Sequence, residues 1–291
     1  MIELVILILA SLSIASFIIR YQLCQEVSAE RLKNGKRLLV WWLIFGLCLL
    51  IFYLGLEAIA FLAIALIVWT TFELFQILNI KLTIYHAAYT GSVMTVILYC
   101  VFIKPEQSQI IFIFSLIMAL CAYFLSLSSK MLVPTLWLSC CLAISSILLI
   151  AVLADKSNAD YAHILLFLFF ITAVNDVAQY VFGALFGKTA IAPLLSPNKT
   201  FEGFLGGLVT TGLFCAILLP HVFVISWEWS LAIGIILSLA GFLGDLNISK
   251  LKRAVNIKDS ATSIPGHGGI LDRIDSLMMI LPVFGLIMTM L

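Results

Sequence analysis

Long apolar runs, unbroken and repeated along almost the whole chain, restrict its possible folds more than any other feature. A bilayer core about 30 Å thick is crossed by roughly 20 apolar residues in helical form. Lipid offers no partner to an open backbone N–H or C=O, so a spanning segment must be a helix or part of a closed barrel. These runs are continuous rather than alternating, which selects helices. The charge content agrees: 11% of the 291 residues are charged, against about 25% in soluble domains.

The runs fall near residues 2–19, 38–54, 57–78, 87–103, 109–127, 131–153, 161–183, 203–225, 230–247 and 272–290. The expected fold is therefore an all-α, polytopic membrane bundle of about nine or ten spans. The first run lacks a basic n-region and a clear small-residue cleavage site, so it is expected to be retained as a helix. Residues 1–160 are expected to form a scaffold of about six helices, and residues 161–291 a region that carries the chemistry. The seven cysteines lie mostly inside apolar runs without a Cys-x-x-Cys pair. They read as small apolar fillers, with neither disulfide nor zinc expected.

The basic residues are unevenly distributed. Arg20, Arg31, Lys33, Lys36, Arg37, Lys81, Lys130, Lys188, Lys199, Lys250, Lys252, Arg253, Lys258 and Arg273 all fall on one set of alternate connectors. Of the 16 Lys and Arg, this leaves only Lys104 and Lys156 for the other set. The positive-inside rule then predicts that the first set faces the cytoplasm. In a bacterium the membrane would be the inner one.

Polar residues concentrate in residues 244–275, expected to be mainly a long loop after the 230–247 span. Asp245 closes one apolar run and Asp272 opens the next. A carboxylate at membrane depth is costly and tends to be paired or functional. Two uses remain open from the residues alone. The pair can hold a divalent cation, as carboxylates do for Mg²⁺ together with phosphates and water. Alternatively, Asp245 bonds a nearby lysine and Asp272 caps the last helix.

Gly266, Gly268 and Gly269 frame His267 just before a helix start, and Lys250, Lys252, Arg253, Lys258 and Arg273 add positive charge. Such a start favours an anion, and glycine allows close approach. A second cradle is expected at 187–202. There Ser196 and Pro197 read as N-cap and first helical residue, with Lys199 and Thr200 in the first turn. Asp176 and Tyr180 share a helix face at i, i+4 spacing, with Asn175 and Gln179 beside them, as one polar patch. Glu73, Gln76 and His86 carry weaker signals, and Glu73 reads as a helix-end residue. No Ser–His or Cys–His pair in a nucleophile's context is found. Together these features suggest phosphoryl chemistry at a lipid surface, which depends on positioning and charge neutralisation.

The run Ser249-x-Leu251-Lys252-Arg253, Lys258-Asp259-x-Ala261, Ile264-Pro265-x-His267-Gly268-Gly269-Ile270-x-Asp272-Arg273-Ile274-Asp275 resembles the signature of phosphatidate cytidylyltransferases (CDP-diacylglycerol synthases). Asp176, Tyr180, Gly183 and Phe186-Gly187-Lys188 resemble that family too, as does Ser196-Pro197-x-Lys199-Thr200-x-Glu202-Gly203. The likeness covers roughly residues 175–276; upstream, the chain is similar only in being apolar.

The resemblance implies transfer of a cytidylyl group from CTP to phosphatidate, with release of pyrophosphate. It implies Mg²⁺ on Asp245 and Asp272, alone or with a second, monovalent cation such as K⁺. It implies catalytic roles for Lys199, Lys252, Arg253, Lys258, His267 and Arg273. Substrate contacts would come from Asp176, Tyr180, Lys188, Ser196, Thr200, Glu202, Gly268, Gly269, Asp259 and Asp275. A homodimer in a lipid bilayer is implied, and no nucleic-acid partner is expected. Gln179 departs from the small residue usual before this tyrosine, which leaves another lipid phosphate open as substrate. A transporter or lipid-binding protein that kept the fold without catalysis is the reading from a different class. The sequence has no inverted repeat with broken helices to favour transport.

Overall fold

The computed structural model describes residues 5–6, 8–10, 13, 29–78, 108–126, 132–157, 159–257 and 269–291. Described helices are α1 (Ala29–Leu54), α2 (Leu56–Ile77), α3 (Ser108–Phe124), α4 (Leu132–Lys156) and α5 (Tyr161–Phe186). A hairpin of β1 (Ala190–Ala192) and β2 (Ser196–Thr200) follows, then α6 (Phe201–Leu218), α7 (Trp227–Ala254), α8 (Leu271–Ile274) and α9 (Leu277–Met288). Five of these, α2 and α4 to α7, are long and apolar enough to cross a membrane; α6 reaches that length with the 3₁₀ turn at Leu219–His221. The chain is a polytopic helical membrane protein. The expected span at 87–103 lies outside the described residues, and that at 2–19 mostly so.

Helix α4 is the central pillar. Of its most apolar window, 89% is buried, by packing against α2, α3, α5 and α9. Two of its buried serines are satisfied locally: Ser145 and Ser146 donate to the carbonyls of Cys141 and Leu142 on their own helix.

Helices α5, α6 and α7 pack through glycine. Lipid gives no hydrophobic drive for helices to associate, so close backbone approach supplies the attraction. A Cβ on Gly203 would stand 2.6 Å from the Gln179 carbonyl oxygen, and one on Gly206 would meet the Phe182 ring at 2.2 Å. At the next seam, a Cβ on Gly234 would lie 2.8 Å from the Gly212 Cα. The glycines of α6 and α7 thus set the spacing of these helices and, with it, the place of the hairpin between α5 and α6.

Two expectations about segments are corrected. Residues 248–254 are helix rather than loop, since α7 runs on to Ala254. Hydropathy ends at Leu246, but Asn247 and Lys250 find acceptors at the end of α3: Asn247 Nδ2 donates to Ala119 O at 3.0 Å, and Lys250 Nζ to Ala122 O and Tyr123 O. The last span is also interrupted. It divides into α8 and α9 at Asp275–Ser276, where a Cβ on Gly244 of α7 would come within 2.4 Å of the Asp275 carbonyl.

These contacts bring the C-terminal ends of α2, α3, α5 and α7 together with the start of α6 and of α8 at one end of the bundle. At the other end Gly55, between α1 and α2, lies near Tyr161 at the start of α5. The connectors grouped by their basic residues, where described, therefore share one end.

Candidate active site

The crowded end is assembled from four separate segments. Helix α7 presents Asp245 and Lys252 two turns apart. Lys199, near the end of β2, makes an ion pair with Asp245, and its ammonium lies 4.6 Å over the Phe242 ring. Lys252 Nζ meets Asp272 Oδ1 of α8 at 2.8 Å. The second Asp272 oxygen accepts from the Gly269 N–H at 3.2 Å, so this carboxylate also caps the start of α8. Both structural bonds left open by the sequence, a lysine on Asp245 and a cap by Asp272, are thus present.

Side-chain exposure is 14% for Lys199, 28% for Asp245, 16% for Lys252 and 12% for Asp272. Two half-sheltered ion pairs of this kind keep charge at a low-dielectric boundary without leaving either sign alone. Arg253 has a different task. Its Nε donates to Leu195 O at 3.0 Å, fastening the hairpin to the end of α7.

Asp176 of α5 accepts from the Ser276 hydroxyl at 2.9 Å, and Asp275 accepts from the Ser276 N–H at the same distance. The charge of Asp245 acts on both Asp176 and Asp275; Lys199 and Arg273 act on Asp176, and Lys252 on Asp275. Ser276 carries no sequence signal of its own. It is the joint that holds two of these carboxylates beside the α7 backbone.

The hairpin corrects the expected helix start at Ser196–Pro197. Both residues lie in β2, paired antiparallel with β1 through Ala192 and Ser196. A two-stranded ribbon has free edges, where the N–H missing from Pro197 is tolerated. The helix begins four residues later, with Thr200 as its N-cap: Thr200 Oγ1 accepts from Gly203 N at 3.2 Å. Ser196 therefore stands in the strand, and Lys199 precedes the helix rather than lying in its first turn. Glu202, in that first turn, accepts from the backbone N–H groups of Lys188 and Thr189 at 3.0 and 3.3 Å. It closes the hairpin onto the end of α5, while the Lys188 side chain is exposed.

The expected patch of Asn175, Asp176, Gln179 and Tyr180 separates. Asp176 turns to Ser276. Asn175 is fully buried and accepts from Thr211 of α6 and Ser238 of α7. The Gln179 side chain lies in the α5–α6 seam, where a Cβ on Gly207 would be 2.5 Å from its Cγ. Tyr180 is 76% exposed on the outer face. Gln179 thus lies at the seam between the two helices.

Lys250 is likewise not part of the charge constellation, because its ammonium closes the end of α3. Glu73 does more than end a helix. It is 1% exposed and accepts from Ile270 N at 2.7 Å and Leu271 N at 3.2 Å. Its place at the end of an apolar run was visible in the sequence, but its partners lie 197 and 198 residues away. Lys258, Asp259, His267 and Gly268 lie outside the described residues.

Among the described residues, no three His, Cys, Asp or Glu side chains gather as a self-sufficient metal site. The donors at this end are carboxylate oxygens, the type that Mg²⁺ takes in ones and twos while water and phosphate complete its shell. The donor chemistry fits such an ion shared with a phosphate ligand.

A sequence model of the cytidylyltransferase family matches residues 35–291. Over 139 residues the chain is 42% identical to a phosphatidate cytidylyltransferase of Staphylococcus saprophyticus, covering 46% of this chain and 52% of that protein. A phosphatidate cytidylyltransferase of Staphylococcus aureus (strain COL) is 40% identical over 139 residues, again 46% and 52% of the two chains. An uncharacterized protein of Escherichia coli (strain K12), YnbB, is 37% identical over 148 residues, 51% of this chain and 50% of its own length. The chain spans about half the length of the curated relatives it matches.

Proposed function

The chain belongs to the cytidylyltransferase family, and from that premise we propose that it transfers the cytidylyl group of CTP to phosphatidate, giving CDP-diacylglycerol and pyrophosphate. The observation that carries this reading is the pairing of Lys199 with Asp245 and Lys252 with Asp272 at one end of a membrane bundle. Here cations and carboxylates from three distant segments stand where a lipid phosphate and a soluble triphosphate would meet.

A phosphate oxygen of the lipid attacks the α-phosphorus of CTP. A new P–O bond forms, the bond between the α-phosphorus and the bridging oxygen breaks, and pyrophosphate leaves with that electron pair. The attacking oxygen is already ionised, so no side chain has to remove a proton. What the reaction requires is two polyanions held in line, with their charge offset as the leaving group departs.

Lys199 and Lys252 supply that offset when they exchange their carboxylate partners for phosphate oxygens. Arg253 keeps the hairpin, and so Lys199, in register. Arg273, whose charge reaches Asp176, adds a third cation. His267, Lys258, Asp259 and the glycines at 268 and 269 complete the phosphate contacts in this reading, with Ser196, Thr200 and Glu202 ordering the hairpin side. Asp245 and Asp272, freed of their lysines, would hold Mg²⁺, with K⁺ as an accompanying ion; when bound, the metal neutralises phosphate charge. The active end faces the cytoplasm, where CTP is found, in accord with the basic connectors. A homodimer is part of the same reading.

Purified protein is given radiolabelled CTP, Mg²⁺ and either phosphatidate or an isoprenyl phosphate. Pyrophosphate release with phosphatidate is expected, with at least a tenfold preference over the isoprenoid. Asp245→Asn and Asp272→Asn should each lower turnover by a factor on the order of 10³. Preference for the isoprenyl phosphate would overturn the substrate, and unchanged turnover in both variants would overturn the metal assignment.

A further inference from the structure

Asp272 and Arg273 sit on α8, a helix of four residues. A helix so short cannot hold itself, because its first turn fixes several dihedrals for a single hydrogen bond. Something outside must keep it in place. The N–H groups of its N-cap Ile270 and its first residue Leu271 are both taken by the carboxylate of Glu73, one oxygen each. The preceding N–H, of Gly269, goes to Asp272 itself. Three successive backbone donors are thus gathered by two carboxylates, one of them in the segment that carries the active-site pair.

Glu73 is held in turn. It lies near the end of α2, where Thr71 Oγ1 accepts from the indole N–H of Trp137 on α4 at 2.9 Å and donates to Ile67 O. The chain from the central pillar to the active end therefore runs Trp137, Thr71, α2, Glu73, α8, Asp272, Lys252. A carboxylate only 1% exposed in a membrane-spanning helix is costly unless its acceptors are used. Here the N-terminal donors of α8 use both oxygens, and the positive end of that short helix adds to the match.

We infer that Glu73 is a positioning residue for the transfer: it fixes the start of α8 and so the angle at which Asp272 meets Lys252 and the incoming phosphates. The inference deepens the cytidylyl-transfer reading and rests on it. It also gives the upstream half of the chain, where the family signature is absent, a defined part in the reaction.

The test is Glu73→Gln in the full-length protein in detergent. Glutamine keeps the volume but turns an N–H₂ toward a donor. Amide hydrogen exchange is read by mass spectrometry, beside steady-state kinetics with CTP and phosphatidate. Expected are exchange at least tenfold faster at 270–274 with α4 to α6 unchanged, and kcat at least tenfold lower per folded molecule. KM for CTP should stay within threefold. The second variant is Ile270→Pro, at a φ of −66° that already suits proline; it removes one of the two donors and leaves Glu73 in place. It should reproduce the loss in kcat even if the glutamine variant does not fold.

Wild-type exchange at 271–274 together with wild-type kcat in either variant would overturn the inference. So would faster exchange spread over all helices with kcat per folded molecule retained, since that is the mark of a merely structural carboxylate. If the wild type itself does not turn over CTP and phosphatidate, the proposed reaction fails. The exchange measurement still decides whether Glu73 holds α8.

Discussion

Lys250 and Lys252 stand two residues apart on α7 and belong to different regions of the molecule. Lys250 is 7% exposed and closes the carbonyl end of α3; Lys252 reaches across to Asp272 on α8. Within the bundle, Lys250 is held by backbone carbonyls, as the hydroxyls of Ser145, Ser146 and Thr172 are on their own helices. At the crowded end polar groups are spent on one another across segments, as Lys199 is on Asp245 and Ser276 on Asp176. A backbone carbonyl is a permanent partner, whereas a side-chain ion pair can be traded for a ligand's charge. Charge near a membrane boundary is therefore available to chemistry only where its partner can let go.

The sharpest way to break this contrast is to remove each lysine in turn. Lys252→Met should lower kcat/KM for pyrophosphate release about 100-fold, or roughly 2.7 kcal/mol of transition-state stabilisation. Its thermal unfolding in detergent should stay near that of the wild type. Lys250→Met should do the opposite: stability falls by about 1–3 kcal/mol as two carbonyls lose their donor, and turnover per folded molecule is kept. Equal kinetic losses in the two variants would erase the distinction between the regions.

The glycine seam offers a second comparison, of packing with chemistry. Gly206→Leu drives a side chain into the Phe182 ring and should lower stability by about 1–3 kcal/mol, seen as a lower unfolding temperature and a smaller monodisperse yield. The smallest effect is expected at Gln179, which fills the space left by Gly207. Gln179→Ala should cost less than about 1.5 kcal/mol and leave the preference for phosphatidate over isoprenyl phosphate unchanged. A changed preference would give Gln179 a part in choosing the lipid phosphate.

The spans around α2 and α4 to α6 were legible because hydropathy reports the apolar length a spanning helix needs, whether it meets lipid or, like α4, its neighbours. The signature residues were legible too, and the structure brings Lys199, Asp245, Lys252 and Asp272 to one end. What hydropathy does not register is a polar helix whose donors have distant acceptors, so the last turns of α7 read as loop although Asn247 and Lys250 hold them to α3. Local capping chemistry was ambiguous: Ser196 and Thr200 are both good N-caps, and the pairing of β2 with β1 decides for Thr200. Glu73 was the least legible, because its meaning depends on two N–H groups nearly 200 residues onward.

In the proposed reaction this end of the bundle moves a cytidylyl group, rather than a terminal phosphate, onto a lipid. CTP labelled at the α-phosphorus and, separately, at the γ-phosphorus tests it most directly, with phosphatidate as acceptor and the lipid and aqueous products separated. Cytidylyl transfer leaves α-label in the lipid and γ-label in pyrophosphate. Label from the γ-position in the lipid, or from neither position, would contradict it.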